Sequence, residues 1–132
     1  MLKHSILATV VIFIVWSIMD FVIHGLFLQE TYEATASLWR PMDEVDMPLM
    51  YAVTLVYAVC FVVLYDVFVG SKSISTGIKF GALFGLAAGV AMGFGSYSYM
   101  PIPLSLAVSW LVGTLLELIV AGAIVGAIIK QK

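Results

Sequence analysis

Residues 104–129 read LSLAVSWLVGTLLELIVAGAIVGAII and include one charged side chain, Glu117. A bilayer core about 30 Å thick is crossed by roughly 20 apolar residues in a helix, so this stretch is long enough to span a membrane. Three other runs share this character, at about 5–28, 49–69 and 76–97. Because backbone polar groups in lipid must be satisfied within the segment, each run is predicted to be a transmembrane helix.

The composition of the chain agrees with four membrane spans. Of its 132 residues, 63% are hydrophobic and 11% are charged. A soluble domain carries about 25% charged residues, and a domain of this size cannot hide such a surplus of apolar surface. Soluble enzymes, nucleic-acid-binding modules and disordered chains are therefore excluded. The net charge of −2 also predicts no nucleic-acid partner.

The basic residues predict the orientation of the spans. One side of the predicted membrane holds Lys3, Lys72, Lys79, Lys130 and Lys132, and the other side holds only Arg40. Basic residues favour cytoplasmic loops, so both termini are predicted to be cytoplasmic. Aromatic residues typical of a membrane interface fall at the predicted outer ends of the spans: Tyr32, Trp39, Tyr97, Tyr99 and Trp110.

The connections predict how the spans pack. Residues 29–48 form one long acidic outer loop, and the other two connections are short. Short connections make consecutive helices antiparallel neighbours. The prediction is an all-α polytopic membrane protein of the inner membrane, with residues 1–132 forming a single antiparallel four-helix bundle in the lipid bilayer.

Glycines recur at every fourth position of the third span, at Gly77, Gly81, Gly85, Gly89 and Gly93, and the fourth span adds Gly122 and Gly126. Small residues four apart let helix backbones approach closely. Two interpretations follow. The third span packs tightly against the first or fourth span of the same chain, or its smooth face docks onto another membrane subunit or a second copy.

Ionisable residues interrupt the apolar spans. A charged group at mid-bilayer costs about 2.5–3.5 kcal/mol, so such residues usually face the bundle interior and have a function. Asp20 and His24 are four residues apart and share one helix face, and Glu117 lies near the centre of the fourth span. If the first and fourth spans touch, these three residues form a polar column that opens toward the outer loop. Asp66 lies near the cytoplasmic end of the second span, within reach of Lys72 or Lys79, and is predicted to be a structural acid at the membrane interface.

Three kinds of chemistry fit the column of Asp20, His24 and Glu117. Carboxylates and imidazole can pass protons, they can bind a divalent metal ion, or they can hydrogen-bond one another and specify how the helices assemble. Apart from Met1, the methionines fall in the outer half, and thioethers favour copper. Methionine is also common apolar filler, and the Glu-x-x-His repeat of di-iron bundles is absent. No cofactor is therefore predicted, with copper or zinc as the alternative.

The chain resembles small bacterial inner-membrane families of four helices whose function is not established. The resemblance rests on Asp20 late in the first span, residues 81–86 (GALFGL) in the third span and Trp110 early in the fourth. It implies the fold and the membrane location alone.

No nucleophile elbow, phosphate-binding loop or dinucleotide motif is present in the sequence. We therefore expect a non-enzymatic accessory or assembly subunit of a larger inner-membrane complex. The alternative is a small oligomeric transporter or channel component that moves protons or metal ions through the polar column.

Overall fold

The computed structural model describes residues 2–131, and these residues form helices and turns without a β-strand. Helix α1 (Leu2–Asp20) continues into a π-helical segment (Phe21–Phe27), and the short helix α2 (Gln29–Ala34) follows. Three long helices complete the fold: α3 (Met47–Phe68), α4 (Ile74–Tyr97) and α5 (Leu104–Ile128). Four helices, counting Leu2–Phe27 as one, are long and apolar enough to cross a membrane, which confirms that the four apolar runs are long helices.

The starts of the long helices follow ordinary capping chemistry. The Asp46 carboxylate accepts a hydrogen bond of 2.9 Å from the Leu49 amide at the start of α3. The Ser73 hydroxyl accepts one of 3.0 Å from the Thr76 amide at the start of α4. Such caps satisfy amide groups that the first turn of a helix leaves unpaired. Pro103 precedes α5, where its missing N–H group costs nothing.

Helices α4 and α5 touch backbone to backbone along most of their length. The buried residues of α4 are its five regularly spaced glycines, Gly77, Gly81, Gly85, Gly89 and Gly93. A Cβ atom on Gly89 would lie 2.8 Å from the carbonyl oxygen of Leu111, and one on Gly81 would collide with the carbonyl oxygen of Leu118. Residue numbers rise along one helix as they fall along the other, so the pair is antiparallel. The glycine face of the third span therefore lies against the fourth span of the same chain.

Glycines of α5 complete this interface from the other side. A Cβ atom on Gly122 would collide with the carbonyl oxygen of Gly77, and one on Gly126 would lie 2.5 Å from that of Ser73. Only residues without a side chain permit this approach, because the neighbouring atoms are backbone and cannot rotate away. The helices thus form a closely joined hairpin.

Helix α1 packs against both α3 and α5. Its Trp16 side chain is buried, with its ring 6.0 Å from that of Phe61 on α3. Rings also join α3 to α4, since the Phe61 centroid lies 5.0 Å from that of Phe80 and 5.8 Å from that of Phe84. The main core cluster comprises Ala8, Ile12, Trp16, Ala58, Phe61, Val62, Tyr65, Leu118, Ala121, Val125 and Ile129.

The two ends of the helices differ in packing. We call the end that holds Leu2 and Gln131 the termini end, and the end that holds residues 28–46 the loop end. In α3, the buried residues Ala58, Phe61, Val62 and Tyr65 all lie in the half nearer the termini end. None of residues 47–57 is buried. The burial of α3 is therefore confined to that half, while Tyr51 and Tyr57 in the other half make ring contacts with Phe13 and Phe84.

The partner of Asp66 is Ser5, whereas the sequence suggested Lys72 or Lys79. The Ser5 hydroxyl donates a hydrogen bond of 2.6 Å to the Asp66 carboxylate, and no ion pair of Asp66 with a lysine is present among residues 2–131. The Lys72 ammonium instead donates to the carbonyl oxygen of Val69, at 2.7 Å. Carbonyl groups at the C-terminal end of a helix attract cations, and this attraction accounts for the lysine's position.

Candidate functional site

The three ionisable residues of the predicted column line one cavity of about 70 Å³. The first span contributes Asp20 and His24, and α5 contributes Glu117 from the opposite wall. The remaining lining residues are Ile23, Met92, Ser109, Trp110, Gly113 and Thr114. A cavity with several polar groups converging on it is the usual form of a binding or transfer site.

Glu117 is held in place through its backbone while one oxygen of its side chain stays unpaired. The Trp16 indole N–H donates a hydrogen bond of 2.8 Å to the Glu117 carbonyl oxygen, which joins α1 to α5. The side-chain oxygen Oε1 is buried and has no hydrogen-bond partner among residues 2–131. The carboxyl group interacts electrostatically with Asp20. Buried polar atoms are nearly always paired, so we expect Oε1 to bind a proton, a cation or a water molecule in the cavity.

The π-helical segment places His24. It begins directly after Asp20, and the Leu28 amide donates to the Ile23 carbonyl oxygen at 2.8 Å, five residues back. Gly25 lies inside the segment and weakens the ordinary helix locally. Widened turns of this kind occur mostly at functional sites. The sequence predicted an unbroken α-helix here, which was wrong, because uniform apolarity carries no signal for the number of residues per turn.

His24 has a partner on each side of its ring. Its Nδ1 atom lies 2.6 Å from the Tyr32 hydroxyl oxygen, and its Nε2 atom lies 4.0 Å from an oxygen of Asp20. The Trp110 indole N–H donates a hydrogen bond of 2.7 Å to the same Tyr32 hydroxyl. Hydrogen bonds therefore lead from Trp110 on α5 through Tyr32 on α2 to His24, and a gap of 4.0 Å separates His24 from Asp20.

Aromatic packing partly buries Tyr32. The Tyr32 ring lies 5.7 Å from that of Trp39, which lies 6.0 Å from that of Trp110. Burial raises the pKa of Tyr32 above its ordinary value of 10.0; the hydrogen bond from Trp110 opposes this shift, and the charge of Asp20 adds to it. The hydroxyl is therefore protonated at neutral pH and can donate a hydrogen bond.

Two residues of this hydrogen-bonded series were missed by sequence reasoning. Tyr32 and Trp110 were assigned to the membrane interface, but Trp110 is only 8% exposed and both contact the site. A signal for Tyr32 was present. It lies eight residues after His24, a little more than two helical turns, and that spacing places the two side chains on one face.

The described residues do not form a set of metal ligands. Among residues 2–131, no group of three or more histidine, cysteine, aspartate and glutamate residues is arranged to hold a metal ion. One methionine of the described chain, Met92, lines the cavity, and its sulfur lies 3.7 Å from the Thr114 hydroxyl. Copper or zinc binding at His24, Asp20 and Glu117 stays a prediction.

Comparison with known protein families, with characterised proteins and with solved structures finds no match to this chain. Its four apolar helices are compatible with an integral membrane protein. What the protein does is therefore inferred from the cavity and from the residues that line it.

Proposed function

We propose that this chain is a small transporter or channel component that moves protons by way of Asp20, His24 and Glu117. One observation carries the proposal: three ionisable groups from two spanning helices share a cavity in which Glu117 Oε1 has no partner among residues 2–131. In this proposal the helices form an antiparallel bundle in the inner membrane, with both termini in the cytoplasm. The cavity then lies in the outer half of the membrane.

The exposure of the three groups suits proton exchange. The side chains of His24 and Asp20 are 37% and 41% exposed, whereas Glu117 Oε1 is buried. A proton that arrives from the loop end thus meets the accessible groups before the buried one. The cavity is polar and large enough to hold a few water molecules, which can bridge separations too long for a direct hydrogen bond. Protons are favoured over metal ions as the cargo because they need no ligand set.

The packing beyond Glu117 favours a homo-oligomer. Toward the termini end, the space between the helices is filled by buried apolar side chains, including Phe61, Leu118 and Val125. A single chain in this conformation has no polar route through that core. We therefore propose that a second copy completes the pathway.

Proton flux into liposomes tests the proposal. The full chain is reconstituted with an internal pH-sensitive dye, and flux is started with a proton gradient. We expect Glu117→Gln and Asp20→Asn to lower the flux by about 100-fold, the low end of the effect of a proton-transferring group. Unchanged flux in both variants would overturn the proposal, and entry of zinc into the same liposomes would identify a metal cargo instead.

Asp66→Asn is the matched control. It makes the same chemical change on a spanning helix, but Asp66 accepts its hydrogen bond from Ser5 near the termini end and does not line the cavity. Its flux should equal that of the original chain. An equal loss in all three variants would mean that any lost intramembrane carboxylate disturbs the fold, which contradicts a specific role for Asp20 and Glu117.

A second candidate is an accessory or assembly subunit of a larger inner-membrane complex. One observation favours it: none of residues 47–57 is buried, which leaves the loop-end half of α3 open to another membrane subunit. The glycine face of α4 no longer supports docking, because α5 occupies it. Native mass spectrometry after purification in mild detergent tests this candidate, and a lone monomer without a bound partner would contradict it.

A further inference from the structure

We infer that Tyr32 positions His24 by donating its phenolic hydrogen to Nδ1, so that neutral His24 carries its own hydrogen on Nε2, toward Asp20. The consequence for proton transfer rests on the proposed function. The tautomer itself is a property of the resting protein and is measured without any transport. The two ideas can therefore fail separately.

The hydrogen bonds at the Tyr32 hydroxyl determine which nitrogen of His24 carries the hydrogen. The indole N–H of Trp110 can only donate, so at 2.7 Å the tyrosine oxygen accepts that bond. The phenolic hydrogen is then left for the second partner of the hydroxyl. That partner is Nδ1 of His24 at 2.6 Å, and within residues 2–131 the hydroxyl makes no other hydrogen bond.

The opposite tautomer leaves a hydrogen without an acceptor. With its hydrogen on Nδ1, His24 would donate to the tyrosine oxygen, which already accepts from Trp110. The phenolic hydrogen would then have no acceptor within the part of the chain that the structure describes. Buried polar groups avoid this state. The second hydrogen bond of an imidazole commonly decides which of its nitrogens is protonated.

The titratable groups around His24 agree with this direction. Asp20 on the same span faces Nε2 and accepts hydrogen bonds when ionised. Tyr32 faces Nδ1 from α2, Glu117 faces the shared cavity from α5, and α4 contributes the thioether of Met92, which does not titrate. The Nε2–H group therefore points at an acidic partner, whereas Nδ1 faces a donor.

This arrangement gives Tyr32 a place in the proposed proton transfer. A proton can add to neutral His24 only at Nδ1, the nitrogen that Tyr32 occupies. The phenolic O–H bond breaks as an N–H bond forms at Nδ1, and the tyrosine oxygen takes up a proton from a hydronium ion at the loop end, which becomes water. The Nε2–H bond breaks as the proton passes to the Asp20 carboxylate through a bridging water. One proton enters and one leaves, so charge and atoms balance. His24 is left with its hydrogen on Nδ1, and exchange of its ring hydrogen with water restores the starting tautomer before the next transfer.

Nitrogen NMR of the full chain labelled with ¹⁵N-histidine tests the inference, because a bare ring nitrogen and one that bears hydrogen have well-separated shifts. The chain has two histidines, and a His4→Gln variant assigns the His24 signals. We expect neutral His24 to carry its hydrogen on Nε2. Tyr32→Phe should lower the ratio of the Nε2–H to the Nδ1–H form by about fivefold, the factor that corresponds to one net hydrogen bond.

Tyr99→Phe is the matched control. Its side chain is 77% exposed, and it should leave the His24 spectrum unchanged. Hydrogen on Nδ1 in the original chain would overturn the inference even if Tyr32→Phe fails to fold. A ratio that does not change in a folded Tyr32→Phe protein would overturn it too. Hydrogen on Nε2 of His24 together with unchanged flux in both Glu117→Gln and Asp20→Asn would instead remove the proposed function alone.

Discussion

The two ends of the helices show two ways of packing within a membrane. At the termini end, α1, α3, α4 and α5 meet through aromatic and aliphatic side chains around Phe61. At the loop end, α1 and α5 enclose a polar cavity, and the facing half of α3 has no buried residue. The hairpin of α4 and α5 extends through both ends. The termini end and the hairpin therefore hold the helices together, and we call them the frame. The loop end holds the polar groups of the cavity.

The difference has a physical cause. Lipid is as apolar as leucine, so helices associate in it through close contact and polar bonds more than through hydrophobic burial. The close contacts are the backbone contact at Gly81 and the ring contact at Phe61. A polar bond is the hydrogen bond that the Trp16 indole N–H donates to the Glu117 carbonyl oxygen. The loop-end half of α3 contacts α4 through one ring pair, Tyr57 with Phe84 at 6.1 Å, and none of its residues is buried.

The largest expected effect comes from breaking the hairpin. In Gly81→Leu the added side chain collides with the backbone of Leu118, which cannot rotate away. We expect the free energy of unfolding to fall by more than about 3 kcal/mol, the upper end of ordinary overpacking. Unfolding by a denaturing detergent, followed by circular dichroism, measures this loss.

The same substitution at Gly95 is the control for Gly81→Leu. A Cβ atom there meets only the Val90 carbonyl oxygen, at 4.0 Å, so the variant should keep its stability or gain from the better helix former. Equal stability of the two variants would contradict the idea that the frame depends on backbone contact between α4 and α5.

The next effect separates the two halves of α3. Phe61→Ala leaves a cavity among buried rings, and we expect a loss of about 3 kcal/mol, the low end for this change because the unfolded helix also lies in apolar surroundings. The control is Leu55→Ala. Leu55 lies six residues before Phe61 on the same helix, and its side chain is 44% exposed. Its effect should stay within about 0.5 kcal/mol. The same denaturation measurement applies, and comparable losses would mean that α3 is packed along its whole length.

The smallest expected effect concerns the loop end at high pH. Burial raises the pKa of Tyr32 above 10.0, so the unfolded chain loses this proton at a lower pH than the folded one. Below pH 10.0 both states are protonated and stability does not depend on Tyr32. As the pH rises from that value through the folded pKa, stability falls. Unfolding measured from about pH 9 to about pH 11 should show a smaller decline in Tyr32→Phe, and equal declines would contradict burial of the hydroxyl.

The sequence predicted the four long apolar helices well, because an apolar run long enough to cross a bilayer is easily seen in a sequence. The regular spacing of the glycines likewise indicated close contact, although it left open whether α5 or another subunit would meet Gly81. The four-residue spacing of Asp20 and His24 placed them on one face before their partner across the cavity was known. These features depend on local spacing, which a sequence displays directly.

Other features depend on contacts between distant residues. In a helix that is apolar all round, no periodic pattern marks the inward face. The sequence of α3 therefore did not show which of its residues are buried. The bonds from Ser5 to Asp66 and from Trp110 to Tyr32 join residues far apart in the chain. The π-helical segment changes the direction of His24 without a distinctive residue pattern. Each of these follows from tertiary packing.

The position of Glu117 in the last helix has a consequence for how the protein is made. Inserting a charged residue at mid-bilayer costs about 2.5–3.5 kcal/mol. Synthesis runs from the N-terminus, so Trp16, Asp20 and His24 are already in the membrane when α5 leaves the ribosome. The Trp16 indole can then dock onto the arriving Glu117 carbonyl, and the cavity wall opposite its carboxyl group already exists. The order of the helices along the chain thus gives the most costly residue a prepared place to enter.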